Sequence, residues 1–243
     1  MKKAHYIIFH PESGGQRQKI NVQAMALVNG IFIEEWLGDI YVDRIGVGNE
    51  DPFVFNDPWL YSYCHASQLR RNERNNCYLQ KGSKLFFVSG QHADTEKLTI
   101  DTVFLIGGVQ SWVKKPLELP TIYKKHFEDN KSMLWRRHFR FPFYGSHKTV
   151  SHSYEADLWL KNKTDFSFLP LNKNDDRVSI PFENFSNNLL EKLKKKVVGK
   201  YPVLLTDKEM QIVSTLIDKA TKTKVLKNIT TTIPTTISRT IKC

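Results

Sequence analysis

The sequence predicts an α+β protein in which a β-rich body comes first and two amphipathic helices follow near the end. Short apolar runs rich in aromatic and β-branched residues recur between residues 4 and 160, as they do in buried strands. Two later segments instead carry leucine, isoleucine and valine at helical spacing. No run approaches the roughly 20 apolar residues that cross a bilayer, so we expect no membrane contact.

The first predicted elements are a strand, a helix and a second strand. Residues 4 to 10 (AHYIIFH) form a short apolar run that Pro11 closes, which is typical of a buried strand. Residues 16 to 30 place Ile20, Met25 and Leu27 partly on one face, which favours a helix, although the valines there would also suit a strand. Residues 39 to 48 alternate apolar and polar side chains and favour a strand, followed by a loop over residues 48 to 59.

The clearest predicted sheet lies in the middle of the chain. Residues 84 to 90 (KLFFVSG) and 98 to 108 (LTIDTVFLIGG) are apolar runs separated by a polar loop, so we expect antiparallel neighbours. The phenylalanines of residues 139 to 143 (FRFPF) alternate, which favours a buried strand face with Arg140 on the opposite side. Residues 151 to 160 add one more strand.

Two helices and a tail are predicted for the end of the chain. Residues 184 to 198 are amphipathic, and residues 206 to 220 open with the capping box of Thr206 and Glu209. The chain after Ala220 is threonine-rich and basic, which favours an extended tail or an edge strand. The predicted organisation is a β-rich domain over residues 1–185, a helical C-terminal extension packed on it over residues 186–220, and a basic tail over residues 221–243.

The formal net charge of +11 is concentrated near the C-terminus. Residues 191–243 hold 12 Lys and Arg against 4 Asp and Glu, whereas residues 1–190 hold 24 against 21. Such a balance favours polyanionic partners through salt-dependent attraction to phosphates, although solubility alone is an equal explanation. Three widely spaced cysteines argue against a disulfide framework, and the first residues do not resemble a secretion signal, so we expect a cytoplasmic protein.

Common catalytic motifs are missing from the sequence. It has no phosphate-binding P-loop, no nucleophile elbow and no dinucleotide-binding glycine motif, and its cysteines and histidines lack the spacing of metal ligands. We therefore predict no metal and no cofactor. An enzyme acting on nucleic acid would need carboxylates to hold a metal ion or a proton, and the candidates are Asp101, Glu155 and Asp157. For the last two, an exposed strand face is the favoured interpretation.

Basic and aromatic residues interleave in two stretches, residues 61–78 and 134–149. Arginine forks bind phosphate oxygens in pairs, and aromatic faces stack on bases for about 1–3 kcal/mol each, so together they suit unpaired nucleotides. The candidate phosphate-binding residues are Arg70, Arg71, Arg74, Arg136, Arg137 and Arg140. The candidate base pocket comprises Trp59, Tyr61, Tyr63, Cys64 and Trp112. Packing in the core, for the aromatic residues, and a solvated turn, for residues 70–74, remain alternatives.

Residues 51–112 also resemble a known family. The resemblance lies in Asn56-Asp57-Pro58-Trp59, Tyr63-Cys64, Arg70-Arg71, Gly82-Ser83 and Phe86-Phe87-Val88-Ser89-Gly90, followed by residues 99–106 and Trp112. These residues are similar to PUA-like nucleotide-modification-associated domains, which are EVE- or ASCH-like, although the family usually has Gly-Asp where this chain has Gly82-Ser83. The resemblance implies a small β-barrel flanked by helices, with a pocket at one end for a base or modified nucleotide.

The sequence thus predicts a module that binds nucleic acid or a nucleotide. Its resemblance implies that it reads or accompanies modified bases in a phage or bacterial modification or defence system. Two alternatives stay open: a metal-dependent enzyme acting on nucleic acid or nucleotides, and a non-catalytic protein that sequesters a small nucleotide or inhibits a partner.

Overall fold

The computed structural model describes residues 3–10, 17–43, 52–55, 57–61, 79–89, 96–111, 152–194 and 202–231. This part of the chain forms eleven strands, two α-helices and one 3-10 turn. The predicted α+β class is confirmed, with sheet predominating. Within the described residues the strands form two open sheets, and neither closes into a barrel.

The first sheet has seven strands in the order β10-β1-β5-β6-β7-β4, with β9 also pairing with β6. They are β1 (His5–His10), β4 (Leu60–Tyr61), β5 (Lys84–Ser89), β6 (Lys97–Ser111), β7 (His152–Ala156), β9 (Val178–Pro181) and β10 (Val203–Leu205). The predicted antiparallel pairing of β5 with β6 is confirmed. Because β6 is 15 residues long, its other side pairs with β9 near its start and with β7 near its end.

The second sheet has four strands in the order β3-β2-β11-β8. They are β2 (Arg17–Val28), β3 (Ile31–Asp43), β8 (Leu169–Leu171) and β11 (Thr223–Thr231). The helix predicted for residues 16 to 30 is wrong, since β2 and β3 form an antiparallel hairpin. Its two-residue turn is Asn29-Gly30, where both residues have positive φ (+50° and +79°), as a hairpin turn matching the strand twist requires.

The segment after Ala220 also differs from the expectation of a tail or an edge strand. β11 lies between β2 and β8, in the interior of the second sheet. Its side chains Val225, Leu226 and Ile229 are buried, and the threonines and lysines between them gave the segment its polar appearance. Residues 232–243 lie outside the described residues.

The first sheet is covered on both faces, which places two hydrophobic cores in the molecule. Tyr6 and Ile8 of β1 point into a core shared with the second sheet, while Ile7 between them points into a core shared with the helices. Strands buried on both faces become continuous apolar runs, which is why β1 and β5 were recognisable in the sequence. The helices α1 (Asn187–Lys194) and α2 (Asp207–Ala220) confirm the two predicted segments.

A buried carboxylate joins the two helices. The predicted capping box at the start of α2 is confirmed: Thr206 Oγ1 accepts from the Glu209 N–H at 3.2 Å, and Glu209 Oε2 accepts from the Thr206 N–H at 2.7 Å. Lys192 of α1 donates to both oxygens of Glu209, at 2.6 and 2.8 Å. Burial alone would raise the pKa of Glu209, but the hydrogen bonds from Lys192 and Thr206 hold it below its ordinary value. In the described part of the chain, no helix is long and apolar enough to cross a membrane.

Candidate nucleic-acid interface

Two of the aromatic residues predicted to line a base pocket lie in the core between the sheets. Trp59 and Tyr61 are fully buried. Tyr61 packs edge-on against Phe87 with ring centroids 5.0 Å apart, and it stacks with Tyr154 at 6.3 Å. The alternative of core packing therefore describes these two side chains, whose rings are inaccessible to a base here. Tyr63, Cys64 and Trp112 lie outside the described residues.

The predicted phosphate-binding arginines, Arg70, Arg71, Arg74, Arg136, Arg137 and Arg140, also lie outside the described residues, as does the phenylalanine strand of residues 139 to 143. The described residues hold 17 Lys and Arg against 17 Asp and Glu. They are therefore neutral, and the formal net charge of +11 comes entirely from the remaining segments. A general attraction to phosphates must originate in those segments.

Asp101, one of the candidate catalytic carboxylates, is buried and fully engaged in pairing. It is the extra residue of a β-bulge in β6, opposite the step from Phe87 to Val88 in β5. Ser89 Oγ donates to one carboxylate oxygen and Arg177 Nη1 donates to the other at 3.3 Å. The guanidinium of Arg177 lies 4.3 Å from the ring centroid of Tyr41 in β3. The contacts in this group thus tie the first sheet to the second.

Glu155 and Asp157, the other candidate carboxylates, lie at the end of β7. Asp157 forms an ion pair with Lys163 Nζ. Glu155 lies against Gly108 of β6, where a Cβ atom would come within 2.9 Å of its Oε2 atom. Among the described residues, no three His, Cys, Asp or Glu side chains lie close enough together to hold a metal ion. Asp157 is thus paired with Lys163, and Glu155 packs against the backbone of β6.

An exposed group of aromatic and basic side chains, absent from the sequence predictions, lies where β3 meets the segment after β7. Phe32 and Trp159 are stacked with centroids 4.7 Å apart and planes 14° apart. Lys227 Nζ lies 5.9 Å from the Trp159 ring. Phe32 is 40% exposed, and the neighbouring Leu160 is also exposed. We call Phe32, Trp159, Leu160 and Lys227 the surface aromatic cluster.

Strand register places Phe32 and Lys227 on one face of the second sheet. Leu27 of β2 pairs with Phe32 of β3 on one side and with Lys224 of β11 on the other, so the three side chains point the same way. A register shift in β11 between Val225 and Lys227 then returns Lys227 to that face, opposite Met25. The Asn29-Gly30 hairpin is the sequence signal that predicts the position of Phe32. The sequence carries no comparable signal for Trp159.

A small cleft adjoins the surface aromatic cluster, and we call it the lysine cleft. Its floor consists of Phe86, Val103, Phe168 and Ile217, and its rim of Lys84, Lys224, Thr164, Asp165, Ser214 and Asp218. Lys84 Nζ lies 2.9 Å from Asp165 Oδ1, and Lys224 Nζ lies 2.7 Å from Asp218 Oδ1. Lys224 Nζ is also 4.6 Å from the Phe168 ring centroid. The cleft volume is about 40 Å³, which is enough for a few water molecules or a small anion.

Comparison with known proteins found no matching family model, no similar curated protein and no similar solved structure. The functional argument for this chain therefore depends on its own residues and their geometry.

Proposed function

We propose that this protein is a nucleic-acid or nucleotide binding module, and that the surface aromatic cluster is where bases bind. The observation that supports this most directly is the stack of the exposed Phe32 on the partly buried Trp159, with Lys227 beside it. Proteins that bind unpaired nucleotides combine such rings, on which bases stack, with cations that attract the backbone. Here one compact surface supplies both.

Exposure favours a binding role for this cluster over a purely structural one. Phe32 and Leu160 present apolar surface to solvent at one edge of the second sheet. Isolated exposed apolar residues are common, but a contiguous group that includes stacked rings and a lysine is typical of an interaction site. A base stacked on the exposed part of Phe32 would extend the pair by one ring.

Charge elsewhere in the chain supplies the second part of the proposal. The excess positive charge lies in the segments that include Arg70, Arg71, Arg74, Arg136, Arg137 and Arg140. These arginines would attract the phosphate backbone without regard to sequence, and the cluster would add contacts to the bases. We therefore expect affinity to fall steeply as salt concentration rises.

Recognition of modified bases is the finer form of this proposal. It is supported by the similarity of residues 51–112 to the PUA-like nucleotide-modification-associated domains. In such a module the stacking surface holds the base, and further contacts distinguish the modified from the plain form. This hypothesis implies that the protein acts in the cytoplasm as part of a phage or bacterial modification or defence system.

Fluorescence anisotropy with labelled oligonucleotides tests the proposal. Plain and base-modified strands, single and double, are titrated at two salt concentrations against the wild type and Trp159→Ala. Because one base–aromatic contact contributes about 1–3 kcal/mol, we expect the substitution to weaken binding by about fivefold or more.

Leu204→Ala is the matched control, since Leu204 is an exposed apolar residue of β10 in the other sheet. It should leave affinity unchanged. If no oligonucleotide binds the wild type, or if both variants bind as tightly as it does, the cluster is not the base-binding surface.

A further inference from the structure

We propose that the lysine cleft binds a terminal phosphate, so that the ligand is a mononucleotide or the phosphorylated end of a single strand. The inference rests on the proposed function because it assigns the phosphate to a nucleotide. It starts from two lysines that line one small cleft, Lys84 on β5 and Lys224 on β11.

The two lysines of the cleft can hold a phosphate monoester when their carboxylate partners turn away. A phosphate monoester carries about −1.5 to −2 charges at pH 7, and the two ammonium groups supply two positive charges, which Asp165 and Asp218 of the same cleft balance in this structure. The side chains of Lys84 and Lys224 are only 11% and 28% exposed, and the floor beneath them is apolar. Partial exclusion of water strengthens an ionic contact relative to the same contact at an open surface. The Thr164 hydroxyl on the rim is a further hydrogen-bond donor, whereas the Ser214 hydroxyl donates to Met210 Sδ at 3.5 Å.

The carboxylates that now pair with these lysines are replaceable. Asp165 and Asp218 have side chains that are 58% and 54% exposed. Because more than half of each carboxylate side chain is exposed, it can turn into solvent and be hydrated there when a dianion takes its place at the lysine. These two aspartates hold the ammonium groups at the cleft.

Charge favours a terminal phosphate over an internal one at this cleft. At about 40 Å³ the cleft has room for a small anion, and Phe86, Val103, Phe168 and Ile217 are buried beneath it. A phosphodiester within a strand carries one negative charge, whereas a monoester carries up to two and so can engage both Lys84 and Lys224.

The position of the cleft connects it to the surface aromatic cluster. Lys224 and Lys227 lie on one face of β11, opposite Leu27 and Met25 of β2. Leu27 and Met25 are two residues apart in β2, which corresponds to about 7 Å, so Lys224 and Lys227 opposite them are separated by a similar distance. This spacing allows a base to stack at Phe32 and Trp159 while the phosphate of the same or the adjacent nucleotide enters the cleft.

The test compares oligonucleotides of one sequence with a 5′-phosphate, a 3′-phosphate or neither, together with a mononucleotide and inorganic phosphate. We expect the wild type to prefer at least one phosphorylated end about tenfold, equivalent to 1.4 kcal/mol. Lys224→Gln should abolish that preference and keep the binding that depends on Trp159. Lys219→Gln, on the exposed last turn of α2, is the matched control and should keep the preference.

Inorganic phosphate gives a readout that does not depend on nucleic-acid binding. It should raise the thermal stability of the wild type and of Lys219→Gln, and raise that of Lys224→Gln much less. Equal affinity for phosphorylated and unphosphorylated ends, with no stabilisation by phosphate, would overturn the inference even if Trp159→Ala still weakened binding. Stabilisation by phosphate without any oligonucleotide binding would support the cleft and reject the proposed function.

Discussion

Two groups of packed aromatic rings occupy opposite environments in this protein. Between the sheets, Tyr61 packs against Phe87, Phe104 and Tyr154, and all four side chains are fully buried. At the surface, Phe32 stacks on Trp159 even more closely, but solvent reaches Phe32 and a lysine lies alongside. Packing between rings therefore occurs both in the core and at the surface of this protein. The surface pair differs from the buried group in the exposure of Phe32 and in the lysine beside it.

The largest expected effect comes from breaking the buried group. Phe104→Ala removes a ring that has no exposed surface and leaves a cavity between the sheets, so we expect a loss of about 3–5 kcal/mol in the free energy of unfolding. Urea denaturation measures it. Phe32→Ala is the matched substitution in the surface group and should cost much less. An equal loss of unfolding free energy in Phe104→Ala and Phe32→Ala would contradict the distinction between a buried and a surface group.

A buried charge gives an intermediate effect. Glu209→Gln weakens the contacts from Lys192 and Thr206 that join α1 to α2, and we expect a loss of about 1–3 kcal/mol at neutral pH. Since the pKa of Glu209 is lowered in the folded state, its contribution is present above the ordinary value of 4.5 and disappears as the pH falls through the folded value.

The difference in stability between the wild type and Glu209→Gln should therefore shrink as the solution becomes acidic. Thermal unfolding followed between pH 7 and pH 3 measures the trend. A difference that stays constant over this range would show that the ionised carboxylate is not what stabilises the contact between the helices.

The smallest expected effect concerns a charge at the surface. Lys227→Gln should leave the free energy of unfolding nearly unchanged, because the Lys227 Nζ atom lies as far as 5.9 Å from the Trp159 ring centroid. If Lys227 neutralises one phosphate of a bound single strand, the dependence of log affinity on log salt should become shallower by about 0.7. Titration at four salt concentrations measures the slope. An unchanged slope would show that Lys227 does not contact a phosphate of the bound strand.

Local patterns were sufficient for the elements whose signal is contained in a few neighbouring residues. The capping box of Thr206 and Glu209 marks the start of α2 because both partners lie within one helical turn. The apolar runs of β5 and β6 predicted a pair because both faces of these strands are buried. For β2, the partly helical spacing of the apolar residues predicts a helix, whereas the Asn29-Gly30 turn identifies a hairpin.

Burial of the candidate site residues depended on partners far away in the chain. Trp59 and Tyr61 have the composition of a base pocket, but the second sheet covers them, and strands from both ends of the chain build that sheet. Phe32 and Trp159 come together only when the hairpin and the segment after β7 fold against each other. Lys84 and Lys224 line one cleft although they lie on different sheets.

By itself, the sequence determined the α+β class, the two helices, the β5–β6 pair and the excess of positive charge, because these follow from composition and from contacts between near neighbours. Only the tertiary structure decided which aromatic rings are buried, that β11 lies inside a sheet, and which lysines meet at a cleft. The reason is physical: exposure and charge proximity depend on contacts between residues distant in the chain, which a local pattern does not encode.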